Sequence, residues 1–161
     1  MTVLFIDVDG VLLPLRARPS SAAASGSGNP LLERLDPADG PRLLALGAEL
    51  VWATSWLGEA DEVVGPLLGL PPLPHVEWAD EDGDPPPGVH WKTAGVVAWA
   101  AGRAFVWLDD EVGDADRRWV AAHHPGPALL HRVDPHTGLT EADLAAVRRW
   151  LATRSGVTGD A

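Results

Sequence analysis

The sequence predicts an α/β fold: a three-layer sandwich with helices on both faces of a mostly parallel central sheet. Three observations carry that expectation. Short apolar runs rich in Val, Ile, Phe and Trp recur along the chain, and each ends in a polar residue. Runs without polar alternation mark strands buried on both faces, as in parallel sheets. Helical patterns separate these runs, and strands alternating with helices give right-handed crossovers.

The elements follow in order. Residues 3–6 form the first apolar run, ending at Asp7, and residues 16–30 (RARPSSAAASGSGNP) read as a flexible loop of small residues. A helix is expected over 39–46 and a second strand over 50–53, ending at Thr54. Residues 59–68 read as a helix and 75–78 as a short edge strand. Residues 79–88 are acidic and hold three consecutive prolines, which bars helix and central strand. A helix over 93–101 leads to a third strand over 105–108, ending at the pair Asp109 and Asp110. Residues 114–123 form the next helix and 128–133 a fourth strand. The last helix, 141–154, has a start signal: Thr140 as cap, with Asp143 placed for the reciprocal bond. Residues 155–161 read as a disordered tail. There is no internal repeat, and the 161 residues suit a single domain.

Composition narrows the function classes. An apolar fraction of 46% and a charged fraction of 22% fit a globular protein. A chain of this size buries roughly 70% of its unfolded surface, so it folds without a disulfide or structural metal. With no cysteine, thiolate catalysis and cysteine-ligated zinc are excluded. The start of the chain has neither a basic leader nor a long apolar stretch, which predicts no membrane span and a cytoplasmic location. The net charge of −11 weighs against long polyanions, nucleic acid included.

In an open parallel sheet, ligands sit at the carboxyl ends of the strands. The residues at those ends are Asp7, Thr54, Asp109 and Asp110. Asp9 follows Asp7 by two positions, Gly10 permits a sharp turn, and Lys92 precedes the helix leading to the third strand. Acidic groups, a hydroxyl and an ammonium on one edge suit phosphoryl transfer: carboxylates hold magnesium, while hydroxyl and ammonium meet phosphate oxygens.

These motifs resemble those of the haloacid dehalogenase (HAD) superfamily. DVDGVL from Asp7 is similar to its first motif, Thr54 after ELVWA to its second, Lys92 to its third, and WLDDEVGD to its fourth. The resemblance implies a HAD-like, Rossmann-like core without a cap domain. It further implies a magnesium-dependent phosphomonoesterase working through an aspartyl-phosphate, and a phosphorylated substrate, small or macromolecular, of unknown identity. In that scheme Asp7 is the nucleophile and Asp9 the general acid and base. Thr54 and Lys92 hold the phosphoryl oxygens, with Ser55 a rival to Thr54. Mg2+ is held by Asp7, Asp9 and Asp110, with Asp109 the rival of Asp110, and Asp114 and Gly10 support the site. Asp9 points to phosphate rather than halide chemistry, because dehalogenase members lack that acid. A capless site implies that a bulky substrate, or a neighbouring subunit of a homo-oligomer, covers it.

Plainer readings stand beside these. Asp-Gly is a common turn pair, Thr54 suits a cap, Lys92 an ordinary surface lysine, and Asp114 the N-cap of its helix. Among the 8 tryptophans, Trp52 and Trp107 belong to strands and therefore to the core. Trp56, Trp78 and Trp91 flank the second and third motifs, where they either line a substrate pocket or pack beneath loops. The alternative function is a phosphate- or metal-binding regulatory module with the same fold and no turnover. Receiver domains use similar groups, but there the acidic pair follows the first strand, whereas here it comes last.

Overall fold

The computed structural model describes residues 1–15, 32–78 and 85–158. Four strands, β1 (Val3–Ile6), β2 (Glu49–Trp52), β3 (Phe105–Asp109) and β4 (Ala128–Arg132), form one sheet in the order β2-β1-β3-β4, every pair parallel. β1 lies in register between its neighbours: Val3 is opposite Glu49 and Phe105, and Ile6 is opposite Trp52 and Leu108. All residues of β1 and β3 are buried, which is why neither run alternates with polar residues.

The period of two along each strand divides the apolar residues between two cores. Leu4, Ile6, Trp52, Val106 and Leu108 face one core, completed by Leu43 of α1 (Asp39–Leu44) and by Leu144 and Val147 of α5 (Glu141–Thr158). Val3, Phe5, Val51, Phe105 and Trp107 face the other, with Val96 of α3 (Thr93–Ala100) and Val120 of α4 (Asp114–His123). Each fully buried side chain of this kind contributes about 1.5–3 kcal/mol. Phe5 also meets Phe105 edge-on at 5.5 Å and Trp99 at 5.7 Å, geometry worth about 0.5–1.5 kcal/mol more per pair. The three layers read from the sequence are present, and the sheet is all-parallel.

Four local expectations need correction. Residues 75–78 form no strand: a single bridge joins His75 to Trp52, flanked by Trp52 N–H to Pro74 O at 2.9 Å. Pro71, Pro72 and Pro74 lack the N–H groups that would extend the ladder. The segment 59–68 contains a wide π turn, Ala60–Val64, before the short α2 (Gly65–Leu67), because Pro66 has no N–H for the carbonyl of Glu62. The N-cap of α4 is Gly113 rather than Asp114, which is the first residue of that helix. α5 continues to Thr158, so the backbone of 155–158 is helical rather than a tail. It starts as read: Thr140 N–H donates to Asp143 at 2.8 Å and Asp143 N–H to the Thr140 hydroxyl at 3.3 Å. The loop 16–30 and residues 79–84 and 159–161 lie outside the described residues. Among those described, no helix is long and apolar enough to cross a membrane.

Candidate functional site

The parallel sheet delivers its polar residues to one edge. β1 is followed by Asp7, β2 by Ala53 and Thr54, and β3 ends at Asp109 with Asp110 next. Lys92 is the N-cap residue of α3, whose start lies against the same edge. After Asp7 the chain folds back on itself: the N–H groups of Val11, Leu12 and Leu13 all bond the carbonyl of Val8, and Gly10 N–H bonds Leu13 O. Gly10 has φ +79°, and a Cβ there would stand 2.5 Å from Asp110 Oδ2. A residue without a side chain is therefore required, both for the turn and for the close approach of Asp110.

Lys92 is buried, and its Nζ lies 3.1 Å from Asp7 Oδ1, 3.1 Å from Asp109 Oδ2 and 3.1 Å from the carbonyl of Ala53. Asp7 Oδ1 also accepts the N–H of Val8 at 2.8 Å, and Asp109 Oδ1 accepts that of Glu111 at 2.9 Å. Oxygens of Asp7, Asp109 and Asp110 converge within 4.8 Å of one another. Burial, followed by the charge of Asp109, pushes the Asp7 carboxyl up to about 8 against the pull of Lys92. Burial and Asp109 likewise push Asp110 up to about 6. At Lys92 burial acts to lower the pKa, but Asp7 and Asp109 outweigh it and hold the ammonium above the ordinary lysine range.

Three carboxylates against one ammonium leave two formal negative charges in a buried space. A divalent cation with oxygen preference is the group that such a donor set fits. Burial and mutual repulsion raise these carboxyls, and a bound cation would relieve both.

The remaining predicted residues are distributed as follows. Asp9 is exposed and accepts the indole N–H of Trp56 at 3.1 Å. Thr54 is buried, its hydroxyl accepting Trp56 N–H at 3.2 Å, while Ser55 is exposed. Asp114 is not drawn into the cluster: it is highly exposed and pairs with Arg117 at 2.9 Å. The helix start turns it to solvent and gives the inward position to Asp116 instead.

Asp116 and His90 are the residues the sequence reading missed. Asp116 is buried; its Oδ1 accepts His90 N–H and the Thr93 hydroxyl, both at 2.7 Å, and its Oδ2 accepts Gly113 N–H at 2.9 Å. One carboxylate thus ties the start of α3 to the start of α4. The signal for it was present, since Asp116 stands three residues after Gly113, the position that reaches back to an N-cap. His90 Nδ1 accepts Lys92 N–H at 3.1 Å, so Nε2 carries the proton and donates to Glu111 at 2.6 Å. His90, Asp109 and Glu111 together form a second group of potential metal-ligating side chains.

Hollows among the described residues include two of similar size. One of about 570 Å³ lies at the opposite edge of the sheet, beside Thr2, Ala48, Ala104 and Pro127, the residues preceding the strands. The other, about 520 Å³, adjoins the site and is walled by His90, Trp91, Trp78, Trp99 and Trp119. Trp78 is fixed there by its indole N–H on Thr54 O at 3.0 Å.

Over residues 3–144 the chain matches the family described as the HAD domain in Swiss Army Knife RNA repair proteins. No curated protein and no solved structure matches it.

Proposed function

From the premise that this chain belongs to the family of HAD domains in Swiss Army Knife RNA repair proteins, we propose that it hydrolyses phosphate monoesters through a covalent intermediate on Asp7. The observation that carries this reading is the carboxylate of Asp7, buried at the end of β1. It lies 3.1 Å from the Lys92 ammonium and within 4.8 Å of oxygens of Asp109 and Asp110.

Asp7 Oδ1 is engaged by Val8 N–H and Lys92, which leaves Oδ2 to attack the phosphorus. The bond from phosphorus to the ester oxygen breaks, and the leaving oxygen takes its proton from Asp9. Asp9 then removes a proton from water, whose oxygen attacks the phosphorus and releases inorganic phosphate and free Asp7. The indole of Trp56 orients the Asp9 carboxylate for both transfers. Lys92 and the Thr54 hydroxyl neutralise the phosphoryl oxygens as charge spreads over them.

Asp7 and Asp110, with the backbone carbonyl of Asp9, are the residues that would hold magnesium, and Asp109 anchors Lys92 instead. When bound, the cation neutralises negative charge on the carboxylates and the phosphoryl group. The family's RNA repair proteins favour a phosphate at a nucleic-acid end over a small metabolite. A net charge of −11 weighs against gripping a long duplex, but not against reading an end.

The test is hydrolysis of p-nitrophenyl phosphate with magnesium. The reading expects activity that chelator abolishes and that Asp7→Asn lowers by more than ~10³-fold. Full activity in chelator would overturn it.

A further inference from the structure

We propose that the tryptophan-walled cleft beside the reaction centre is a stacking groove for the last bases of a single-stranded RNA whose terminal phosphate enters the site. The proposal rests on the phosphatase reading and names its substrate class.

The groove borders the chemistry at one end, through His90 and Trp91. His90 walls it and also reaches the side chains of Asp109 and Glu111, while Trp91 immediately precedes Lys92. From that end the groove follows one face of α3, past Gly95 to Trp99, and is flanked by Trp78 and by Trp119 of α4. Gly95 brings the floor close, since a Cβ there would meet the Trp78 ring at 2.8 Å. The lining residues of α3 run from Ala94 to Trp99, and five rises of about 1.5 Å give a floor about 7.5 Å long, more than one stacked base requires. Its volume of about 520 Å³ is that of an ordinary ligand site.

The wall chemistry selects the occupant. Trp91 is 48% exposed and stands edge-to-face on Trp78 at 5.0 Å, so its exposed surface continues the aromatic wall of the groove. Aromatic rings accept any base on their faces, and each stack is worth about 1–3 kcal/mol. Among the described residues lining the groove there is no Lys or Arg, and Glu77 is present. A polyanion is therefore held here by its bases rather than by its backbone, with its end phosphate neutralised at Lys92. Such recognition suits a flexible single strand and excludes a duplex, whose bases are already stacked.

The experiment compares kcat/KM for p-nitrophenyl phosphate, a mononucleotide and a single-stranded ribotrinucleotide with a terminal phosphate, on the full chain. The proposal expects the trinucleotide to exceed the mononucleotide at least tenfold, and Trp91→Ala to cut that ratio by about tenfold while Trp91→Phe restores it. Catalytically dead Asp7→Asn should bind the trinucleotide with quenching of tryptophan fluorescence and a shallow dependence on salt. Equal rates on mononucleotide and trinucleotide, a steep salt dependence, or a dimer by light scattering that Trp91→Ala converts to monomer would each overturn the proposal. If p-nitrophenyl phosphate is not hydrolysed but trinucleotide binding persists and falls in Trp91→Ala, the phosphatase reading fails and the groove stands.

Discussion

Replacing Gly10 with alanine tests how the loop after β1 shapes the cation site. Gly10 holds φ +79°, a conformation that costs an L-residue roughly 1–2 kcal/mol. The added Cβ would stand 2.5 Å from Asp110 Oδ2 and 2.6 Å from its Cγ. Ordinary separations are about 3.5–4.0 Å, so the Asp110 carboxylate must move by about 1 Å. Metal ligands tolerate displacements of only about 0.2 Å. Gly10→Ala should therefore lower magnesium affinity about 10- to 100-fold, the range for losing a group that positions a ligand. The folded state should weaken by roughly 1–2 kcal/mol. Titration calorimetry with magnesium reads the first effect and denaturant unfolding without metal the second. In an Asp110→Ala background the same substitution should leave magnesium affinity almost unchanged, because the displaced ligand is already gone. A Gly10→Ala protein that binds magnesium as the wild type does would refute the reasoning.

Three further outcomes follow from the structure. Asp7 and Asp110 are pushed up to about 8 and about 6, so both hold protons at acid pH that a cation must displace. Magnesium affinity should rise between about pH 5 and pH 8, with proton release visible as a dependence of binding heat on the buffer. The same shift means that the folded protein binds more protons than the unfolded chain, so metal-free stability should fall as pH rises from about 4 to about 8. Asp7→Asn should flatten that fall, as read by melting temperature across pH. Asp116→Ala strands three donors, His90 N–H, the Thr93 hydroxyl and Gly113 N–H. It should cost about 1–3 kcal/mol in chemical denaturation, and more where no water replaces the carboxylate.

Much of this architecture was legible because strand burial writes itself plainly into the chain. VLFI, LVW and FVWL carry no alternation, since β1, β2 and β3 have a core on each face. The polar residue ending each run marked the edge where Asp7, Thr54 and Asp109 gather. What the sequence concealed was side-chain direction at helix starts. Asp114 and Asp116 are both acidic and two apart, yet the turn from Gly113 exposes one and buries the other. The pairing of Lys92 with Asp109 as well as Asp7 was equally hidden, because it depends on where α3 begins relative to β3. The tryptophans were ambiguous for a related reason. Trp52 and Trp107 are core by their place in strands, but Trp78 and Trp91 became a groove only when α3 and α4 were set side by side.

The most direct test of the central claim is to trap the covalent intermediate. Asp9→Asn keeps the nucleophile but removes the base that activates water for the second step, so the phosphoryl group should accumulate on the enzyme. With magnesium and p-nitrophenyl phosphate, acid quench and peptide mass analysis should find one phosphoryl group on the peptide containing Asp7. The same peptide from Asp7→Asn should carry none. A phosphoryl group on another residue, or turnover that persists in Asp7→Asn, would contradict the account.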